Sequence, residues 1–400
     1  MEHNRRKSPV PRPRHPLAYD LRPSLQMKNG NVALLLDSAP LTWTSQEDRH
    51  SRLCEALVER GRQPVLVFSE PLRPHIHERL QGSGAVIRVI NYGEGMLHYY
   101  RRLRSIVKEF SITTAHIVFF DYFSPLPWIA RASGARHVVY EMQNSGELHA
   151  RSWKKRLLRL RTWVMTSPIS RVIAISEFVK RQLVDGGVAE PRITVRYLGV
   201  NTDRFRPHAE ARREWAERFG LRPDELILST VSYLRPFKNP QVLVHACREL
   251  AARRIPARLF VAGDGEMLGD LKTLGERLGV ADRICWLGNV AEPKTLLQAS
   301  DVFLLGSIGE AFGLVLAEAM ACGVPVVGSR SGSIPEVVEE GRTGLLSPPS
   351  DPVAFADSVE YLARNGQRRR EMGESAVERV RQHFTVDQDV EETVAMYEEL

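Results

Sequence analysis

The chain has 400 residues, 43% of them hydrophobic, enough to bury the cores of two or three domains, and no apolar run is long enough for a membrane-spanning helix. The net charge of +7 is uneven: residues 1–30 hold seven Lys or Arg against Glu2 and Asp20, a net of +5, and the remainder is close to neutral at +2. The N-terminus lacks the apolar centre of a secretory signal, and Cys54, Cys247, Cys285 and Cys322 are scattered, which argues against a zinc site or disulfide framework and fits a reduced cytoplasm.

In chain order, 1–30 with "RRKSPVPRPRHP" reads as a disordered, proline-rich basic arm. A plain solvated tail is favoured over one that attracts nucleic acid or lipid phosphates, and no nucleic acid partner is expected. "NVALLLD" (31–37) is strand-like, "SRLCEALVERG" (51–61) has helical spacing closed by glycine, and "QPVLVFS" (63–69) is again strand-like. The alternation continues through "AHIVFFD" (115–121), "RHVVYEM" (136–142) and "RVIAIS" (171–176), and breaks at the polar "YLGVNTDRFRPHAE" (197–210). A second series follows: "ELILSTVS" (225–232), "ARLFVAGDG" (257–265), "RICWLGN" (283–289), "DVFLLGS" (301–307) and "VPVVGS" (324–329). Two such series imply an α/β fold of two doubly wound Rossmann-like domains facing each other, 31–197 and 198–380. Ligands in such sheets bind beyond the carboxyl ends of the strands.

Gly263, Asp264 and Gly265 leave one of these strands, but Leu268 stands where a dinucleotide fingerprint needs its third glycine, so a tight turn competes with a binding loop. "GSIGEAFG" leads into an apolar helix whose first-turn amides, at Gly313, Leu314 and Val315, form a natural phosphate seat. Gly323 and Pro325 end that helix. Glu318 lies one turn inside it. The residues three and four away, Leu314, Val315, Ala321 and Cys322, cannot pair with it. A carboxylate there can accept from two neighbouring hydroxyls, as on a ribose; a structural glutamate bonded to backbone or water is the alternative. Glu310 precedes it by eight residues, about 12 Å of helix. That is too far for the roughly 5 Å pair of a retaining glycosidase.

"EAFGLVLAEAMACGVPVV" (310–327), followed by "SGSIPEVVEEGRTGLL" (331–346), resembles the Glu-x7-Glu signature of the family 4 glycosyltransferases, retaining enzymes of the two-domain type B architecture. "VNTDRFRP" (200–207), "VAGDGEMLGDLKTL" (261–274), "WLGNV" (286–290) and "DVFLLGS" occur in the family's order, and "HFTVDQ" (383–388) resembles its C-terminal crossover, which makes 381–400 a helix returning to the first domain. The resemblance implies that Glu318 binds ribose, that Glu310 contacts the donor sugar, and that the amides of Gly313, Leu314 and Val315 hold the diphosphate, with Gly263 and Gly265 on the same donor side. It implies that the backbone at Asn289 and Val290 meets the base, and that Lys238 neutralises the leaving diphosphate. This chain has Tyr233 where the family usually has arginine, with Arg235 as the candidate replacement, and Asn239 where it has glycine. "LTWTSQEDR" (41–49) replaces the glycine pair of the first loop, and Gln143 and Asn144 stand on the acceptor side where many members have His-Asp.

"DQD" (387–389) has the form by which another glycosyltransferase fold holds metal, but at the start of the last helix its acids serve the helix dipole, and no metal is expected. "RSWKKRLLRLRTWV" (151–164) carries six basic residues and no acid, with Trp153, Leu157, Leu160 and Val164 on one stripe. A helix lying on an anionic membrane and an amphipathic core-facing helix are both open. The function expected is retaining transfer from a nucleotide diphosphate sugar to a hydroxyl of a glycan, lipid carrier or small molecule, in the cytoplasm or peripherally on the membrane's inner face. The alternatives are a phosphorylase or epimerase of the same fold, and a non-catalytic nucleotide-sugar-binding protein.

Overall fold

Strand β1 (Asn31–Leu36) is buried at every residue, as a strand covered by helices on both faces must be. The computed structural model describes residues 30–37, 39–118, 124–143 and 155–400. Around β1 run β2 (Pro64–Phe68), β3 (Val86–Val89), β4 (Ile112–Val118), β5 (His137–Met142), β6 (Arg171–Ala174) and β7 (Ile193–Val195), in the order β3-β2-β1-β4-β5-β6-β7. The second sheet holds β8 (Leu226–Val231), β9 (Ala257–Ala262), β10 (Ile284–Gly288), β11 (Val302–Leu305), β12 (Val326–Ser329) and β13 (Gly344–Ser347), ordered β10-β9-β8-β11-β12-β13. Every strand pair described is parallel. The result is the expected pair of doubly wound Rossmann-like domains. Strand order reverses between β1 and β4 and between β8 and β11, where crevices open for ligands.

The helix after β1, Ser45–Glu59, starts six residues before the stretch read as helical from sequence. Its start is a capping box: Gln46 N–H donates to Thr44 Oγ1 at 3.2 Å, and Thr44 N–H to Glu47 Oε2 at 2.8 Å. Much of "LTWTSQEDR" is therefore helix, not loop.

The last helix, Val386–Glu399, packs on Ser45–Glu59, with Val390, Val394 and Tyr397 in one cluster with Leu53, Cys54 and Leu57. Here the dipole reading of "DQD" is too small. Asp387 pairs with Arg52 at 2.7 Å, and buried Asp389 pairs with buried Arg49 at 2.6 Å and accepts from Gly199 N–H at 3.0 Å. Arg49 also grips Glu141 at the end of β5 through two bonds of 2.8 and 3.1 Å. Burial works against the Arg49 charge, but the Asp389 and Glu141 carboxylates outweigh it and hold its pKa above the ordinary value. A guanidinium fork between two carboxylates thus ties the crossover helix to the first sheet.

Helix Lys155–Thr166 turns Thr162 and Thr166 inward and leaves Leu160 58% and Trp163 64% exposed. The core-facing reading therefore fails for Leu160, and Val164 is exposed as well. Trp153 lies outside the described residues, as does the arm up to residue 29.

Candidate active site

The site is assembled by two loops at the carboxyl ends of β8 and β11. After β8, Pro236–Lys238 forms a 3-10 turn and Asn239 takes the left-handed conformation at φ 49°. Glycine is the ordinary residue there, and asparagine is the next best tolerated. The Asn239 amide donates to Gly306 O at 3.1 Å, and Ile308 N–H to Phe237 O at 2.7 Å, so the two loops are fastened together. This fastening brings Lys238 Nζ within 2.7 Å of Glu310 Oε2. Glu310 is braced from behind as well: its carbonyl accepts from Ser333 N–H at 2.9 Å and Ser333 Oγ at 3.0 Å. Gly332, at φ 62°, lies so close that a Cβ would stand 2.4 Å from Glu310 N. "SGS" (331–333) was visible in the sequence only as part of a resemblance; its work is to hold the Glu310 loop.

Gly313, at φ 80°, turns this loop into helix Leu314–Ala321, with Leu314 and Val315 in the first turn, where amides have no intrahelical acceptor. Glu318 is 8% exposed, and its carboxylate does have a partner: Ser45 Oγ of the first domain donates to Oε1 at 2.6 Å. Burial raises the Glu318 pKa above its ordinary value, while Ser45 and the Arg204 charge pull it back. A cavity of about 290 Å³ between the domains is lined by Trp43, Ser45, Val290, Leu314, Val315 and Glu318.

The remaining candidates divide. Val290 lines this cavity, whereas Asn289 is exposed. Gly263 and Gly265 press on the loop that leads to Lys238: a Cβ would stand 1.9 Å from Ser232 O at the first and 2.5 Å from Leu234 O at the second. Arg235 is exposed, its guanidinium 4.4 Å from the centre of the Tyr233 ring, and it forms no ion pair among the described residues. Gln143 accepts from Gln46 Nε2 at 2.9 Å and donates to Glu141. Asn144 lies outside the described residues.

Ser45, Trp43 and Arg204 were missed as site residues. Arg204, in the linker, reaches Asp48 Oδ2 at 2.8 Å, Trp43 O at 3.1 Å and Glu292 of the second domain at 3.0 Å. The Thr44-Ser-Gln-Glu47 capping box was the signal that could have placed Ser45 at a helix start facing the cleft.

The family model described as "Glycosyltransferase Family 4" matches residues 50–204, and "Glycosyl transferases group 1" matches residues 211–379. A GDP-mannose-dependent alpha-(1-6)-phosphatidylinositol monomannoside mannosyltransferase of Mycolicibacterium smegmatis is 31% identical over 287 residues, which cover 68% of this chain and 72% of that one. The chain belongs to the family 4 glycosyltransferases. The gap between the two matched segments of this family 4 chain falls on its polar linker. An N-acetyl-alpha-D-glucosaminyl L-malate synthase of Bacillus anthracis is 37% identical over 45% of this chain. The match spans about half the length of the first curated relatives, 47% and 51%. Among solved structures, HepE of Anabaena in complex with UDP and glucose superposes with a TM-score of 0.78 over 92% of this chain and 99% of its own, at 18% identity, which speaks for the fold alone.

Proposed function

We propose that this family 4 glycosyltransferase moves a sugar from a nucleotide diphosphate donor to an acceptor hydroxyl with retention of configuration. The reading is carried by one observation: Lys238, from the loop after β8, pairs with Glu310 in the loop that runs directly into the helix bearing Glu318. A cation, a sugar-facing carboxylate, free amides and a ribose-facing carboxylate then follow one another along one crevice. The bond from the anomeric carbon to the diphosphate breaks with its electron pair leaving on phosphate. Lys238 and the amides of Gly313, Leu314 and Val315 meet that growing charge in a site largely removed from water. The acceptor hydroxyl attacks from the face the diphosphate vacates and gives its proton to the departing phosphate oxygen. In this reading Lys238 and the amides take the place of a divalent ion, so a chelator leaves the rate unchanged. Gln143, and Asn144 beside it, belong to the acceptor side.

UDP in the HepE complex and the GDP-mannose dependence of the mannosyltransferase relative name the first donors to try. The deciding experiment incubates the protein with a panel of UDP- and GDP-sugars, with and without hydroxyl acceptors, and follows nucleotide release and product. Transfer with retained anomeric configuration is expected. Sugar phosphate or epimer formed without an acceptor would move the reading to a phosphorylase or epimerase, and binding without turnover to a non-catalytic binder.

A specific observation supports a lipid-linked acceptor reached from a membrane surface. Exposed Leu160 and Trp163 share a helix with Arg159 and Arg161, and exposed Trp128 of the neighbouring helix Leu126–Ser133 donates Nε1 to Val164 O at 3.0 Å. Apolar and aromatic tips amid arginines suit an anionic interface.

A further inference from the structure

At the ribose end of the cleft Glu318 already has a hydrogen-bond donor from the chain itself. Ser45 is the first residue of helix Ser45–Glu59, and its Oγ lies 2.6 Å from Glu318 Oε1, both residues being buried. No other side chain among those described hydrogen-bonds to the Glu318 carboxylate. A buried carboxylate needs hydroxyl or amide donors, and Ser45 supplies the donor that a ribose hydroxyl would supply. The helix start is also latched from the side. Arg204 holds Asp48 and the Trp43 carbonyl with one edge of its guanidinium and Glu292 of the second domain with the other. Trp43 Nε1 donates to Asp48 Oδ1 at 2.6 Å, and Arg79 stacks on the Trp43 ring, so the segment beside Ser45 is fixed on several sides.

We propose that Ser45 is a built-in competitor for the ribose subsite: a nucleotide enters by displacing the Ser45 hydroxyl from Glu318, so Ser45 sets donor affinity. The proposal rests on Glu318 being the ribose-binding carboxylate of the site described above. The Ser45–Glu318 bond joins the two sides of the cleft, and a ribose hydroxyl that takes the Glu318 Oε1 position displaces it. Replacing the hydroxyl by hydrogen leaves Glu318 buried without a donor until ribose arrives, which raises the free energy of the empty state alone. Ser45→Ala does not threaten the fold, because the capping box belongs to Thr44 and Glu47 and alanine is a strong helix former.

Titration calorimetry of the full chain with UDP and GDP, and inhibition by inorganic pyrophosphate, test this in the parent and in Ser45→Ala. Losing a hydrogen bond to a charged group from the empty state should tighten binding of the nucleoside diphosphate about tenfold. Pyrophosphate, which has no ribose, should bind both proteins equally. Unchanged or weaker nucleotide affinity in Ser45→Ala overturns the proposal, weaker affinity making Ser45 a direct ligand instead. Equal tightening for pyrophosphate overturns it too, since a generally loosened cleft explains that result. If neither protein binds UDP or GDP, nor ADP, CDP or dTDP in the same titration, the donor reading falls along with it. If the parent binds one of them, the donor reading stands and the Ser45 result decides alone.

Discussion

Lys238 and Glu310 neutralise each other until something more anionic than one carboxylate enters the cleft. In the proposed reaction a diphosphate is such a group, and its charge grows as it leaves, so that reading assigns Lys238 to the transition state more than to the ground state. Lys238→Ala should lower kcat about a hundredfold with a smaller change in KM, read from steady-state kinetics. Arg235→Ala should leave kcat close to the parental value, because its guanidinium lies over the Tyr233 ring and holds no carboxylate in the site. A parallel fall would show that Arg235 swings into the cleft when donor binds. Glu318→Ala should weaken the bare nucleotide and the nucleotide sugar alike, whereas Glu310→Ala should weaken only the sugar-bearing ligand; calorimetry on both separates them. The sequence made these candidates legible, since Glu310, Gly313 and Glu318 sit on one contiguous stretch. It could not carry the partner of Glu318, which comes from 273 residues away. Nor could it show that Gly263 and Gly265 serve the backing of a loop.

Among elements, helix Ser45–Glu59 does the most to unite the molecule. Arg49→Met would strand Glu141 and Asp389 as buried, unpaired carboxylates, and removing one partner of such a group costs about 3–5 kcal/mol. Denaturant unfolding should show that loss, and a surface change such as Arg52→Ala should show far less. His50, on the same helix, is buried, and burial together with the Arg49 charge lowers its pKa to about 3. The unfolded chain takes up that proton near pH 6.5 and the folded chain does not. Stability should therefore be complete above about pH 6.5 and fall as pH drops toward 3, by up to about 1.4 kcal/mol per unit. His50→Gln should flatten that part of the curve in pH-dependent unfolding. The strands missed in sequence, β3, β7 and β13, are edge strands. An edge strand is covered on fewer sides and needs no continuous apolar run, so period and hydrophobicity give little sign of it. Buried central strands such as β1 and β11 announce themselves for the opposite reason.

For the whole molecule, two facing sheets were legible because each repeats the strand–helix alternation; which faces of its helices stay exposed was not. If the face bearing Leu160 and Trp163 docks on anionic lipid, Arg159→Glu with Arg161→Glu should abolish co-sedimentation with vesicles containing phosphatidylserine. Each basic residue near such a surface contributes about 1 kcal/mol. Absence of co-sedimentation in the parent, or no change in the variant, would return that face to plain solvent exposure.

The chain passes between its domains twice, and the two passes touch. Val200 N–H donates to Phe384 O at 2.8 Å and Val386 N–H to Val200 O at 3.0 Å, so outgoing linker and returning crossover run as a short parallel ribbon. One pass alone would allow the lobes to twist and slide. Two passes bonded side by side behave like the pin of a door, leaving rotation about that ribbon as the soft motion. Ser45, Glu318 and the Arg204 contacts then act as the catch on the moving edge. If the lobes open, chemistry at the catch sets how far, and the ribbon at residues 200 and 384–386 is the axis about which they turn.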